Sequence, residues 1–193
     1  MAITAQVFCV GTADTKLNEL RFLSDSVRSS LATFSDTSSS KVQVVIVDVS
    51  AGQKETEISG DIKFVTRKDL LLSYSESVGE NPIALPDDRA IGLGGSGGTS
   101  LISSAFRFLP VGVPKLIVST VASGQTEPYV GTSDLVLFPS IVDICGINSV
   151  SRVVLSNAGA AFAGMVIGRL ERFQQPPNEG KMHSGGQDYG IAG

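Results

Sequence analysis

The run Val42 to Val49 (Val-Gln-Val-Val-Ile-Val-Asp-Val) sets the tightest limit on what this chain can fold into. It is almost continuously apolar, without the alternation of a strand that has one wet face. It therefore predicts a strand buried on both sides, as in a parallel sheet covered by helices, with Asp48 at its end. Parallel strands need helical crossovers, and the preceding residues supply one. Gln6 to Val10 reads as a strand, Gly11 to Lys16 as a polar turn, and Leu17, Leu20, Leu23, Val27, Leu31 and Phe34 as one apolar stripe of a helix that stops before Ser35 to Ser40.

The pattern then repeats. A short strand is expected at Ile62 to Val65 and a helical turn or two at Lys68 to Tyr74. Ala90 to Leu93 is a very short apolar run entering a glycine-rich turn, and Thr99 to Phe108 is helical up to Pro110. Strands are expected at Lys115 to Val121 and Leu135 to Phe138. A Gly- and Ala-rich helix follows over Ser151 to Phe173, with Ser151 as N-cap and Gly159, Gly164 and Gly168 allowing a neighbour close. Alternating strands and helices describe a doubly wound α/β layer, in which ligands bind off the carboxyl ends of the strands. Residues 1–173 form one domain in this reading. Residues 174–193, with Pro176, Pro177 and five glycines, read as a flexible tail with too little apolar surface to offset its chain entropy.

Composition removes some functions. The 193 residues carry 15 Lys plus Arg against 19 Asp plus Glu, a net charge of −4, so no basic surface calls for direct nucleic-acid binding. Cys9 and Cys145 are too few for a disulfide scaffold and sit in apolar runs, as buried cysteines do. No window reaches about 18 apolar residues and the N-terminus lacks a positive leader, so neither membrane nor secretion is expected. A cytoplasmic protein is.

Five of the seven residues from Gly92 to Gly98 are glycine, between a strand and a helix. Glycine removes the Cβ atoms that keep a ligand away, so backbone N–H groups can converge on a phosphate at the helix start, with Thr99 and Ser100 adding hydroxyls. The competing reading is a tight turn that lets the helix pack close to the sheet. A dinucleotide fingerprint is disfavoured: about 20 residues on, where a ribose-binding acid belongs, there is none before Glu127. A P-loop is disfavoured too, because no Lys follows the last glycine, which leaves Lys16 and Arg89 as candidate cations. Gly94-Gly95-Ser96-Gly97-Gly98 also fits a nucleophile elbow with Ser96 as nucleophile. The single histidine, His183, lies in the tail, with no ordered element to bring it to Ser96.

In the first turn, Asp14 and Thr15 are as readily helix caps as ligand contacts. If both turns leave the same edge of the sheet they face one cleft, where Thr15 and Lys16 offer a hydroxyl and a cation. Asp48, Ser123, Asp143 and Asn148 lie at or beyond other strand ends, where they serve as turn or cap residues or meet a ribose or a magnesium ion.

Val7-Phe8-Cys9-Val10-Gly11-Thr12-Ala13-Asp14-Thr15-Lys16, Glu19 to Ser24, Ile91 to Phe106, Thr120 to Gly131, Leu135 to Ser140 and Arg169-Leu170-Glu171 resemble the plant family of the tomato mosaic virus resistance protein, an inhibitor of tobamovirus RNA replication. The resemblance spans most of residues 7–171. It implies a Rossmann-like domain that binds ATP with Mg2+, a homodimer, and an antiviral member that grips the helicase region of a viral replication protein. By position it carries nucleotide contact to Asp14, Thr15, Lys16 and Arg89, and phosphate contact to Gly95, Ser96, Gly97 and Gly98, with Thr99 following. Catalytic residues are not implied.

The chain departs from that family twice. Between Arg89 and Ile91 the family has a helix and the beginning of a strand, so the sheet is expected to lack one crossover helix, to bare an apolar face and to lose stability. After Lys181, where the family enters a second α/β domain, this sequence turns to Met182-His183-Ser184-Gly185-Gly186. The expected function is a nucleotide-regulated protein-binding module rather than an efficient enzyme. The alternatives are a hydrolase or ATP-dependent enzyme, using Ser96 or a site that the absent domain completes, and a pure interaction module.

Overall fold

The structure, a computed structural model, describes residues 6–34, 42–52, 63–66, 68–69 and 89–174. Ten elements lie in it: β1 (Gln6–Gly11), α1 (Ala13–Phe34), β2 (Gln43–Asp48), β3 (Lys63–Val65), β4 (Arg89–Gly94), α2 (Ser96–Phe106), β5 (Lys115–Ser119), α3 (Glu127–Val130), β6 (Val136–Pro139) and α4 (Ser149–Gln174). The six strands make one sheet in the order β3-β2-β1-β4-β5-β6, and every neighbouring pair is parallel. This is the doubly wound, Rossmann-like arrangement.

Period-two side-chain alternation in the strands divides the core between two faces. Val7, Cys9, Ile91, Leu93, Leu116 and Val118 pack with Leu20, Leu23 and Val27 of α1 and Leu155, Phe162 and Val166 of α4. On the other face Ala90 and Ile117 meet Ile102 and Phe106 of α2. Helix α4 over Ser149–Arg172 is long and apolar enough to cross a membrane by length and composition, at a mean hydropathy of 1.5. No such window was expected from the sequence. Its apolar residues are core, with Ala158, Phe162, Ala163 and Val166 fully buried. It crosses α1 closely because Gly159 has no side chain: a Cβ there would lie 2.9 Å from Ser26 Cβ.

Several expectations change. Ala90 to Leu93 is not a stub: β4 has six residues, all buried, and pairs with β1 and β5 along its length. Helix α1 begins at Ala13, with a break at Lys16 (φ −133°, ψ 25°), so the regular helix does start at Leu17. The N-cap of α4 is Asn148, not Ser151: its Oδ1 accepts the Val150 and Ser151 amides at 2.9 Å, while Ser151 Oγ accepts the Asn148 amide at 2.8 Å. Cys145 is exposed, because its apolar run is loop rather than strand. Helix α3 carried no periodicity that four residues can show. On the face where a crossover helix was expected to be missing, Val45 of β2 is 1% exposed, while its register neighbour Phe8 and, two residues on, Val10 of β1 are half-buried. The crossover from β3 to β4, all but two residues of the Lys68 to Tyr74 helix, and the tail beyond Gln174 lie outside the described residues.

Candidate functional site

The strand order reverses between β1 and β4, which pair so that Gly11 stands beside Leu93. Thr12 and Gly95 therefore leave adjacent strands at the same edge, one turn entering α1 on one face and the other entering α2 on the opposite face. The crevice between them is where doubly wound sheets bind ligands. Asp14, Thr15 and Lys16 flank it on one side; Gly95, Ser96, Gly97, Gly98 and Thr99 flank it on the other.

The two helix starts differ in how their amides are used. At α1, Asp48 Oδ1 accepts the Ala13 amide at 2.9 Å, and Ser50 Oγ accepts the Asp14 amide at 3.0 Å. Ser50 is itself fixed by Asp48, through its amide at 2.9 Å and through its hydroxyl. The carboxylate thus sits against the positive end of the helix, 7% exposed, and fills the place an anion would take. Neither Asp14 nor Thr15 is the cap. The carboxylate at the end of the second strand, which in dinucleotide enzymes holds the ribose, is committed to α1 here.

At α2 the N-cap is Gly95, with no side-chain cap. The amides that open a helix have no partner within it. Ser96 and Gly97 are exposed and Gly98 half-buried. The glycines divide by role. A Cβ on Gly92 would lie 2.8 Å from Ile102 Cγ2, and one on Gly94 would lie 2.6 Å from the Thr99 amide nitrogen, so these two serve close helix-to-sheet packing. A Cβ on Gly95 would meet only Thr120 Oγ1, at 3.9 Å, and one on Gly97 nothing within 4 Å. Packing does not require glycine there.

The turn is anchored from below. Thr99, fully buried, donates from its amide to Gly95 O at 2.7 Å and from its hydroxyl to Gly94 O at 3.2 Å. Its Oγ1 also lies 2.7 Å from Ser119 Oγ. Thr99 is thus a support of the loop rather than part of its open surface.

Lys16 is half-buried and donates to Ile144 O at 2.5 Å, in the loop between β6 and α4. Arg89 is not in the crevice. It opens β4, fully buried, at the amino end of the sheet, and at about 3.3 Å per residue lies roughly 16 Å from Gly94. The stretch Pro86-Asp87-Asp88-Arg89 carries no sign of which end of a strand the arginine occupies. Ser96 lacks the strained conformation of a nucleophile elbow: among the described residues Ile141 is the sole non-glycine with positive φ. His183 lies outside the described residues. Of the other strand-end candidates, Asp48 and Asn148 are caps, while Ser123 and Asp143 are exposed. Among the described residues no group of three His, Cys, Asp or Glu can hold a metal ion.

Sequence reasoning missed Ser50, whose hydroxyl fills the second amide of α1, and Ser119, under the glycine turn. A lone serine past a strand end carries no distinguishing signal.

The family described as "Uncharacterised protein family (UPF0261) N-terminal domain" matches residues 5–90 and, separately, 87–171, the two matches meeting at β4. The ToMV susceptible protein tm-1(GCR26) and the ToMV resistance protein Tm-1(GCR237) of Solanum lycopersicum are each 56% identical over 96% of this chain, which spans 28% of their length. The first alignment runs over 214 positions, more than the 193 residues of the chain, so the tomato protein carries residues that this one lacks. A UPF0261 protein of Mesorhizobium japonicum is 37% identical over 96% of this chain and 47% of its own. Among solved structures, an oxidoreductase from Corynebacterium diphtheriae superposes with a TM-score of 0.51 at 10% identity, covering 86% of this chain and 98% of its own, a likeness of fold alone. With the family matched over both halves of one Rossmann-like sheet, the chain belongs to the UPF0261 family, over its N-terminal domain.

Proposed function

We propose that this chain is an ATP- and Mg2+-binding module whose phosphates sit on the open amino end of α2. One observation carries the reading: of the two helix starts at the switch point, α1 is filled by Asp48 and Ser50, whereas α2 is uncapped, with no packing demand on Gly97. Backbone amides there offer donors without a desolvated cation, and Lys16 and Thr15 supply a charge and a hydroxyl from across the crevice. Magnesium fits as a companion of the phosphates, since it keeps waters and phosphate oxygens and asks for few protein ligands. Asp14, exposed in the first turn of α1, is a carboxylate on offer at the crevice. When bound, the metal would neutralise phosphate charge.

On this reading the nucleotide serves as ligand or regulator rather than as a substrate turned over quickly. Equal identity to tomato proteins named for resistance and for susceptibility supports a role in tobamovirus replication without deciding the outcome of infection. On this reading the chain is a cytoplasmic homodimer that grips a viral replication protein, by its helicase region, under nucleotide control. Calorimetric titration with ATP, with and without Mg2+, tests the nucleotide part. Saturable binding strengthened by the metal is expected, and heat no different from dilution refutes it.

A further inference from the structure

The loop from Ser140 to Asn148 is held to α1 by two side chains one turn apart. Lys16 donates to Ile144 O at 2.5 Å, and Glu19, 3% exposed, accepts the Gly146 amide at 2.5 Å. Lys16 also breaks the helix, at φ −133° and ψ 25°. Ile144 lies over the end of β5, lining a small cavity with Val118, Ser140 and Ser151. Since β4 separates β1 from β5, a bond from the start of α1 to the loop over β5 spans the carboxyl end of the strand whose turn opens α2.

The loop itself is strained. Ile141 is a β-branched residue at φ 66°, 78% exposed, a conformation that persists only where the surroundings hold it. Beyond the loop, Ser151 Oγ ties Gly146 O to the capped start of α4, and Val150 and Val153 in its first two turns are exposed. One ammonium at the start of α1 therefore holds a loop that carries the exposed Ile141 and leads into a helix with exposed Val150 and Val153.

We propose that Lys16 is a two-position clamp, which holds the Ser140–Asn148 loop in the nucleotide-free chain and leaves Ile144 O for the phosphate when nucleotide binds. The inference rests on the phosphate seat proposed above. An anion outbids a neutral carbonyl for an ammonium, since charge-assisted hydrogen bonds are roughly twice as strong as neutral ones. Release of Ile144 O loosens the strained loop and changes the Ile141, Val150 and Val153 surface, so that nucleotide occupancy is read out about two strands away.

Hydrogen exchange followed by mass spectrometry on the full chain separates the clamp from the seat. Mg-ATP is expected to slow exchange at 95–99 and speed it severalfold at 140–148, while adenosine does neither. Lys16→Met is expected to exchange fast at 140–148 without nucleotide, with no further rise at saturating Mg-ATP; Glu19→Gln, which keeps an acceptor for Gly146, retains the response. Slowing at 95–99 with an unchanged loop overturns the clamp and leaves the seat standing. No change at either segment overturns both.

Discussion

Thr99 Oγ1 and Ser119 Oγ lie 2.7 Å apart, both fully buried, and join the first turn of α2 to the end of β5 beneath the glycine turn. Ser119 Oγ also accepts the Val121 amide at 3.1 Å, so one hydroxyl pair fixes two consecutive strand-end turns. Thr99→Val keeps the shape and removes the hydroxyl, leaving Gly94 O and Ser119 short of a partner. The expected cost is about 1–3 kcal/mol, or about 2–4 °C in Tm per kcal/mol at this chain length. In the double variant with Ser119→Ala the losses should fall short of their sum, as they do for residues in contact. Full additivity in denaturant unfolding would mean the two hydroxyls act independently.

The glycines should separate in the same assay. Gly94→Ala places a methyl 2.6 Å from the Thr99 nitrogen and 2.7 Å from Gly98 C, both backbone, and should destabilise by about 1–3 kcal/mol. Gly97→Ala meets nothing within 4 Å and should be neutral or stabilising by up to about 1 kcal/mol. Equal losses at the two positions would show that the whole turn is packed rather than divided between packing and an open rim.

Asp134 governs an acid-sensitive contact at the far end of the sheet. Burial pushes its carboxyl up, but the hydrogen bond from Lys115, the Gly112 amide at 2.7 Å and the Lys115 charge outweigh it, and its pKa falls below the ordinary 3.8. A carboxyl with a lowered folded pKa adds stability above its unfolded value and loses it as pH falls through the folded one. The contribution is therefore present at neutral pH and fades below about pH 3.8. Lys115, fully buried, also donates to Pro110 O at 2.8 Å, so Asp134→Asn leaves an ammonium with carbonyls and no counter-charge. The variant should be less stable at pH 7, and its stability should change less than wild type between pH 5 and pH 3. Parallel pH profiles would count against this.

The two cysteines should differ in reactivity. Cys9 is enclosed in the sheet, and burial pushes its thiol up to about 12, whereas Cys145 is exposed in the β6–α4 loop. Thiolate is the reacting form, so a maleimide on the native chain should modify Cys145 and spare Cys9 until the chain unfolds. Peptide mapping reads this directly, and early modification of Cys9 would mean that β1 opens readily.

The layer architecture was legible because buried parallel strands announce themselves: Val42 to Val49 needs cover on both faces whatever follows it. The convergence of the Gly11 to Lys16 and Gly92 to Gly98 turns followed from parallelism too. What the residues did not disclose were relations between distant segments. Asp48 could be read as a turn or cap residue or as a ribose or metal contact, and only the placement of α1 beside β2 shows which: it caps α1. Arg89 looked like a phosphate contact, yet as the first residue of β4 it lies at the wrong end of the sheet. Five glycines read alike in the sequence, although Gly92 and Gly94 answer to Ile102 and Thr99, Gly95 and Gly98 have one neighbour each at 3.9–4.0 Å, and Gly97 has nothing within 4 Å. Identity of residue type at a strand end says little until the partner across the sheet is known.

The account turns on which helix start receives the phosphates, and backbone amide shifts in an Mg-ATP titration of the full chain read this directly. The Ser96, Gly97 and Gly98 resonances should move in a saturable way, while Ala13 and Asp14, held by Asp48 and Ser50, should stay in place. Saturable movement at Ala13 and Asp14 with the glycine turn silent would contradict it.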